Sequence, residues 1–175
     1  MKKKIVLLIS ILSLSCNNDK TSSTDKTAIK LATGINCRQN FDDPTQKLGN
    51  PNSLVNNKFV IYPNPAIESF YILAQENVTD VWLVPATPQK IYQDVNFGSI
   101  LNTNLYTEPS IISLSNLSLN GQSSTGFSVN IRTLTKGYYK VFVKMGGVLY
   151  WDILYKYDSQ ENTETQFTTL HNFWN

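Results

Sequence analysis

The sequence predicts an all-β body, a sandwich or a barrel, between about residues 29 and 158. Three observations point there. Short runs rich in β-branched and aromatic residues recur from Lys58 onward, with Asn, Asp, Ser, Gly and Pro between them. No long segment between 57 and 158 carries the 3.6-residue period of an amphipathic helix. The stretch Tyr138 to Tyr157 is apolar on both sides of Gly146-Gly147, the form of a β-hairpin.

Taken in order, Ile29-Lys30-Leu31-Ala32 is an ambiguous strand start. Residues 40–57 are rich in Asn, Asp and Pro, which is turn chemistry. Asp42-Asp43 lacks the spaced oxygen ligands of a calcium loop and is expected to be a solvated turn. Lys58 to Tyr62 reads as a strand stopped by Pro63-Asn64-Pro65. Glu68 to Ala74 reads as a second strand. Val78 to Val84 reads as a third, with Val78, Trp82 and Val84 opposite Val81 and Leu83. Gln89 to Phe97 alternates again, Ile91, Val95 and Phe97 against Tyr92. Residues 98–125 are full of Ser, Asn and Thr, with Ile111 to Leu114 a candidate strand, and Phe127 to Ile131 alternates cleanly.

In the final hairpin two registers compete. A two-residue turn at Gly146-Gly147 pairs Met145 with Val148 and puts Lys140 and Lys144 on the face of Leu149, Trp151 and Ile153. A three-residue loop pairs Met145 with Leu149 and keeps the lysines off that face. A one-residue slip exchanges whole faces, so burial is expected to select the second register. Trp151 is then a core residue, since buried aromatics dominate such cores. The tail ends in Phe167, Leu170, Phe173 and Trp174 at helical spacing, which allows a short docked helix, a terminal strand or a partner-binding peptide.

The first residues carry an address. Lys2, Lys3 and Lys4 lead into the apolar run Ile5 to Leu12, then Ser13-Leu14-Ser15 and Cys16. A basic start, a short apolar centre and a small residue before the cut form a secretory signal. The run is shorter than the roughly 20 apolar residues that span a bilayer. The segment resembles the signal of a bacterial lipoprotein. That resemblance implies cleavage of the Ser15–Cys16 bond, a diacylglyceryl group on the Cys16 sulfur and acylation of the freed amine. Two or more chains hold stably where one is marginal, each buried methylene contributing about 0.8 kcal/mol. Asn17 stands where the family's inner-membrane retention aspartate would be, which implies the outer membrane, on its periplasmic or its outer face.

The expected organisation is a signal at 1–15, a polar tether at 16–28, a β-sandwich domain at 29–158 and a tail at 159–175. The 15 basic and 13 acidic residues include three signal lysines, so the mature chain is near neutral. With no basic stripe, no nucleic-acid partner is expected. With Cys16 acylated, Cys37 is a lone thiol, expected as a small buried residue rather than a nucleophile. His171 is the single histidine, and no metal site or Cys37–His171 pair is expected. No cofactor motif occurs.

Two motifs carry a second resemblance. Tyr62-Pro63-Asn64-Pro65-Ala66 and Leu134-Thr135-Lys136-Gly137-Tyr138-Tyr139 resemble the opening and penultimate motifs of the C-terminal sorting domain of the Bacteroidota type IX secretion system. Tyr62, Pro63, Asn64, Pro65, Gly137 and Tyr139 are the matched positions. The resemblance implies an immunoglobulin-like β-sandwich, here of about seven to nine antiparallel strands. The expected function is a non-enzymatic, membrane-anchored binding or scaffolding domain, the alternative a secretion-related module. Tyr92, Tyr106 and Tyr150 are candidate exposed contacts for a glycan or protein partner.

Overall fold

A computed structural model describes residues 28–91 and 94–175. Cys16, the Ser15–Cys16 bond, nearly all of the tether and Tyr92 lie outside the described residues. The chain is mostly β, with 48% in strands and 17% in helices. In order come β1 (Leu31–Ala32), β2 (Gly34–Cys37), β3 (Gln46–Gly49), β4 (Phe59–Tyr62), β5 (Ser69–Pro88), α1 (Phe97–Ile100), α2 (Glu108–Leu114), β6 (Leu117–Asn130), β7 (Gly137–Met145), β8 (Val148–Lys156) and α3 (Thr163–Trp174).

Six strands form one mixed sheet and β2–β3 a second. The sheet is mixed rather than antiparallel because β1 runs parallel to β5, Leu31 opposite Thr87. The long β5 joins two halves. Its first part pairs with β4 and the end of β6; its second part pairs with the start of β6 and with β7, which carries β8. The sequence suggests two strands here. The structure runs them together, absorbing the break as register shifts between Leu73 and Asp80. Those shifts rotate Val78 onto the same core as Val81 and Leu83 rather than that of Trp82 and Val84.

The first core lies between the halves: Phe59, Ile61, Phe70, Ile72 and Val129 meet Val81, Leu83, Val141, Val143 and Leu154. The outer face of β5, β7 and β8 is covered too. Ile29, Tyr106 and Ile111 of α2 close over Trp82, Phe142 and Trp151. Further along, the β2–β3 hairpin and α3 pack Ile35, Cys37, Leu48, Leu170 and Trp174 onto Ile153. Helix α3 is the docked form of the tail. Asn162 caps it, its side-chain oxygen accepting from the backbone N–H groups of Glu164 and Thr165.

Two segments expected as strands differ. At Gln89 to Phe97 the described positions form no strand. The end of β5 is already flanked by β1 and β7, so β5 itself has no open side there to receive one. Ile111 to Leu114 is helical because Pro109 sits at the start of α2, where its missing N–H costs nothing. Conversely, the Ser- and Gly-rich start of β6 is a strand. It lies on a sheet edge, so only alternate residues such as Leu117 and Leu119 need an apolar partner.

The hairpin register is the two-residue one: Met145 pairs with Val148, Phe142 with Trp151 and Lys140 with Ile153. This overturns the expected Met145–Leu149 pairing. Both faces of β7 and β8 are covered, so a slip exposes no apolar face and burial does not choose between registers. Gly146 and Gly147 have φ of +54° and +80°, the pair of positive angles that a type I′ turn requires. The cost avoided in the expected register is accepted here: Lys140 is fully buried. Its ammonium nitrogen donates to Ala28 O and to Tyr106 Oη, both at 3.2 Å, and lies 5.0 Å from the Tyr106 ring centre. Burial pulls its pKa down to about 7.

Candidate functional site

Among the described residues β4 pairs only with β5, and β8 only with β7 and single bridging residues, so the sheet does not close into a barrel. In the open seam between β4 and β8 lies a pocket of about 410 Å³. Phe59, Val60 and Ile61 of β4 form one wall, Asp152 of β8 the opposite one, and the β2–β3 hairpin contributes Asn36, Lys47 and the adjoining Arg38. Ser53 and Val55 come from the segment leading to β4, and Asn96 and Phe97 from the start of α1.

Asp152 is the centre of this site. It is only 4% exposed, yet it lines the pocket. Its Oδ1 accepts three hydrogen bonds: from Ser53 Oγ at 2.6 Å, from its neighbour Ile153 N at 2.8 Å and from Asn36 Nδ2 at 2.9 Å. Its Oδ2 takes none from the described residues. Nor is Oδ2 among the sealed, unpartnered side-chain atoms of those residues, so it is the oxygen that meets the pocket. Burial pushes the carboxyl up, while the bonds from Ser53, Ile153 and Asn36 and the charge of Arg38 oppose that shift. The guanidinium of Arg38 is held by Phe41 O at 2.6 Å and by Thr45 Oγ1. Lys47 is exposed and has no ion pair among the described residues. The seam therefore combines a fixed carboxylate oxygen with two cations and a set of amides and hydroxyls. Such a set of groups can hydrogen-bond a polar molecule.

The motif residues lie elsewhere and hold the fold. Tyr62 ends β4, its ring 5.5 Å from that of Tyr71 and 6.1 Å from that of Phe41. Pro63 and Pro65 follow, and Pro65 is buried. Asn64 is fully buried. Its Nδ2 donates to Asn36 O and to Ile153 O, each at 2.7 Å, and its Oδ1 accepts from Tyr155 N at 3.1 Å. It thus clasps β2 to the free edge of β8. Gly137 opens β7 with φ of +145°, and buried Tyr139 donates from its hydroxyl to Thr135 O at 2.8 Å.

Of the other candidates, Trp151 is in the core, its Nε1 donating to Asn52 O at 2.9 Å. Cys37 is free and buried; burial, and then the charge of Asp152, push its thiol up to about 12. That is the opposite of an activated nucleophile. His171 lies on α3 against Asn175. Asp43 accepts from Asn40 N at 2.7 Å in a local turn. Tyr106, expected as an exposed contact, is 6% exposed and packs edge-on against Phe142 and Trp151. It is half of the lid over Lys140, because Lys140 needs a hydroxyl partner there. Tyr150 is half-buried. Among the described residues no group of three or more His, Cys, Asp or Glu is gathered as a metal site, and no helix is long and apolar enough to cross a membrane.

Sequence reasoning missed the Asp152 cluster. The available clue was a carboxylate inside the apolar run Trp151-Asp152-Ile153-Leu154; Asn36 and Ser53, about a hundred residues away, gave none. The chain matches no protein-family model, and no curated protein or solved structure is significantly similar to it.

Proposed function

We propose that this chain is a non-enzymatic ligand-binding lipoprotein. Its β body hangs from the outer membrane by a diacylglyceryl group on Cys16, after cleavage of the Ser15–Cys16 bond. The observation that carries the binding role is the seam pocket, where a buried carboxylate is immobilised through one oxygen and presents the other. Such pre-positioned polar groups in a concave site fix a ligand's orientation. The anchor rests on Lys2 to Lys4, the short apolar run and Cys16. Mass spectrometry of the mature chain from bacterial outer membranes tests it. An acylated Cys16 is the expected terminus; an unmodified chain, or one keeping residues 1–15, refutes the anchor.

The body is an immunoglobulin-like sandwich in this proposal. Two packed half-sheets support that, as does Tyr139, whose hydroxyl reaches back four residues to Thr135 O in the manner of a tyrosine corner. Tyr62 to Pro65 and Gly137 to Tyr139 favour a second role, as a module sorted by or serving the Bacteroidota type IX system. A host lacking that system decides: unchanged localisation removes this second role.

A further inference from the structure

We infer that the ligand of the seam pocket is a hydroxyl-rich ring carrying a carboxylate, the chemistry of a hexuronate unit in an acidic glycan. The inference deepens the binding role proposed above and rests on it. Three features select this class.

The first is Asp152 Oδ2. It needs a donor, and the donors it has inside the protein all sit on Oδ1. A ligand hydroxyl or ammonium can supply one. The second feature decides between them. The lining already holds Arg38 and Lys47, while burial opposes a charge on Asp152. An ammonium would add a third positive charge beside Arg38, whose field already acts on Asp152. A hydroxyl donates without adding charge. Lys47 at the exposed side, without an ion pair among the described residues, matches an anionic group on the same ligand. The third feature is the mixed wall. Phe97, half-buried, and Val55 line the pocket beside amides and hydroxyls, as suits a ring with apolar C–H faces and polar edges. The pocket's 410 Å³ falls within the roughly 300–1,000 Å³ of small-molecule sites.

The test is a titration of the purified full chain, by calorimetry and by amide chemical shifts. The three probes share one ring: glucuronate, glucose and glucosamine. Glucuronate is expected to bind tightest, glucosamine weakest. A solvent-exposed ion pair of up to about 1 kcal/mol corresponds to about a fivefold preference of glucuronate over glucose. Lys47→Gln is expected to remove that preference, and Lys47 is exposed enough for the variant to fold. Asp152→Asn is expected to weaken all three. If Asp152→Asn does not fold, the shifts of Asn36, Ser53 and Asp152 in the wild-type titration locate the site instead.

Tighter binding of glucosamine, or a glucuronate preference that survives Lys47→Gln, overturns the acidic-ring inference and leaves the binding role standing. So does a lack of any sugar binding at millimolar concentration when a dipeptide shifts the same resonances. If neither sugars nor dipeptides perturb Asn36, Ser53 or Asp152, the pocket's binding role falls as well.

Discussion

Replacing Lys140 with Met should make the protein more stable at neutral pH. The ammonium sits inside an apolar cluster with one hydroxyl and one carbonyl as partners and no carboxylate among the described residues. Burial lowers its pKa from 10.5 to about 7. Between those values the unfolded chain holds a proton that the folded chain gives up, so stability rises with pH across that window. At 1.36 kcal/mol per pKa unit, the folded state is penalised by about 4 kcal/mol at pH 7. Met fills similar space without the charge. Tyr106 Oη still donates to Ala28 O at 3.1 Å, so losing the lysine's bonds should cost only about 1 kcal/mol. The expected net gain is about 3 kcal/mol at pH 7. Urea melts followed by tryptophan fluorescence measure it. Wild-type stability should climb by about 2 kcal/mol from pH 6.5 to 8.5, and Lys140→Met should be flat there. Above pH 9 Cys37 acts the other way. Its thiol stays protonated to about 12 when folded but ionises near 9 when unfolded, so its contribution is present below pH 9 and lost above it. A destabilised Lys140→Met, or a wild type with no slope between pH 6.5 and 8.5, would show that the lysine is not held in a dry site.

Other substitutions probe other parts of the fold. Asn64→Ala removes this partner from two carbonyls and one N–H on two strands, β2 and β8, and should cost about 3–5 kcal/mol in a denaturant melt. Gly147→Val forces a branched side chain to φ of +80° and should cost about 1–2 kcal/mol; an amide–amide Overhauser contact between Met145 and Val148 in the wild type checks the register. Cys37 should react with a maleimide only as fast as the protein opens, with labelling accelerating in step with denaturant; rapid labelling of the native protein contradicts its burial.

The strands with period-2 alternation or dense β-branched residues were legible: β4, both parts of β5, the end of β6, and β7 with β8. Trp151 and Cys37 were correctly expected to be buried. What the sequence hid was context. The polar start of β6 is a strand because it lies on an edge, which depends on its neighbours and not on its own residues. Lys140 misled the register because a lysine usually marks the wet face, and here Ala28 and Tyr106 close over it from distant parts of the chain. The site was hidden for the same reason. Asp152, Asn36 and Ser53 are ordinary residues until the β2–β3 hairpin is laid along the seam. The motif residues were visible in the sequence, yet they do not line the pocket around Asp152; they tie strands together.

Asn64 bears on how export experiments should be interpreted. A screen that scrambles Tyr62 to Pro65 and scores secretion would count every misfolded variant as a failure of export. Because this amide staples two separate sheets, a misfolded product would give the same readout as a lost sorting tag. Only variants first shown to melt like the parent can speak to trafficking.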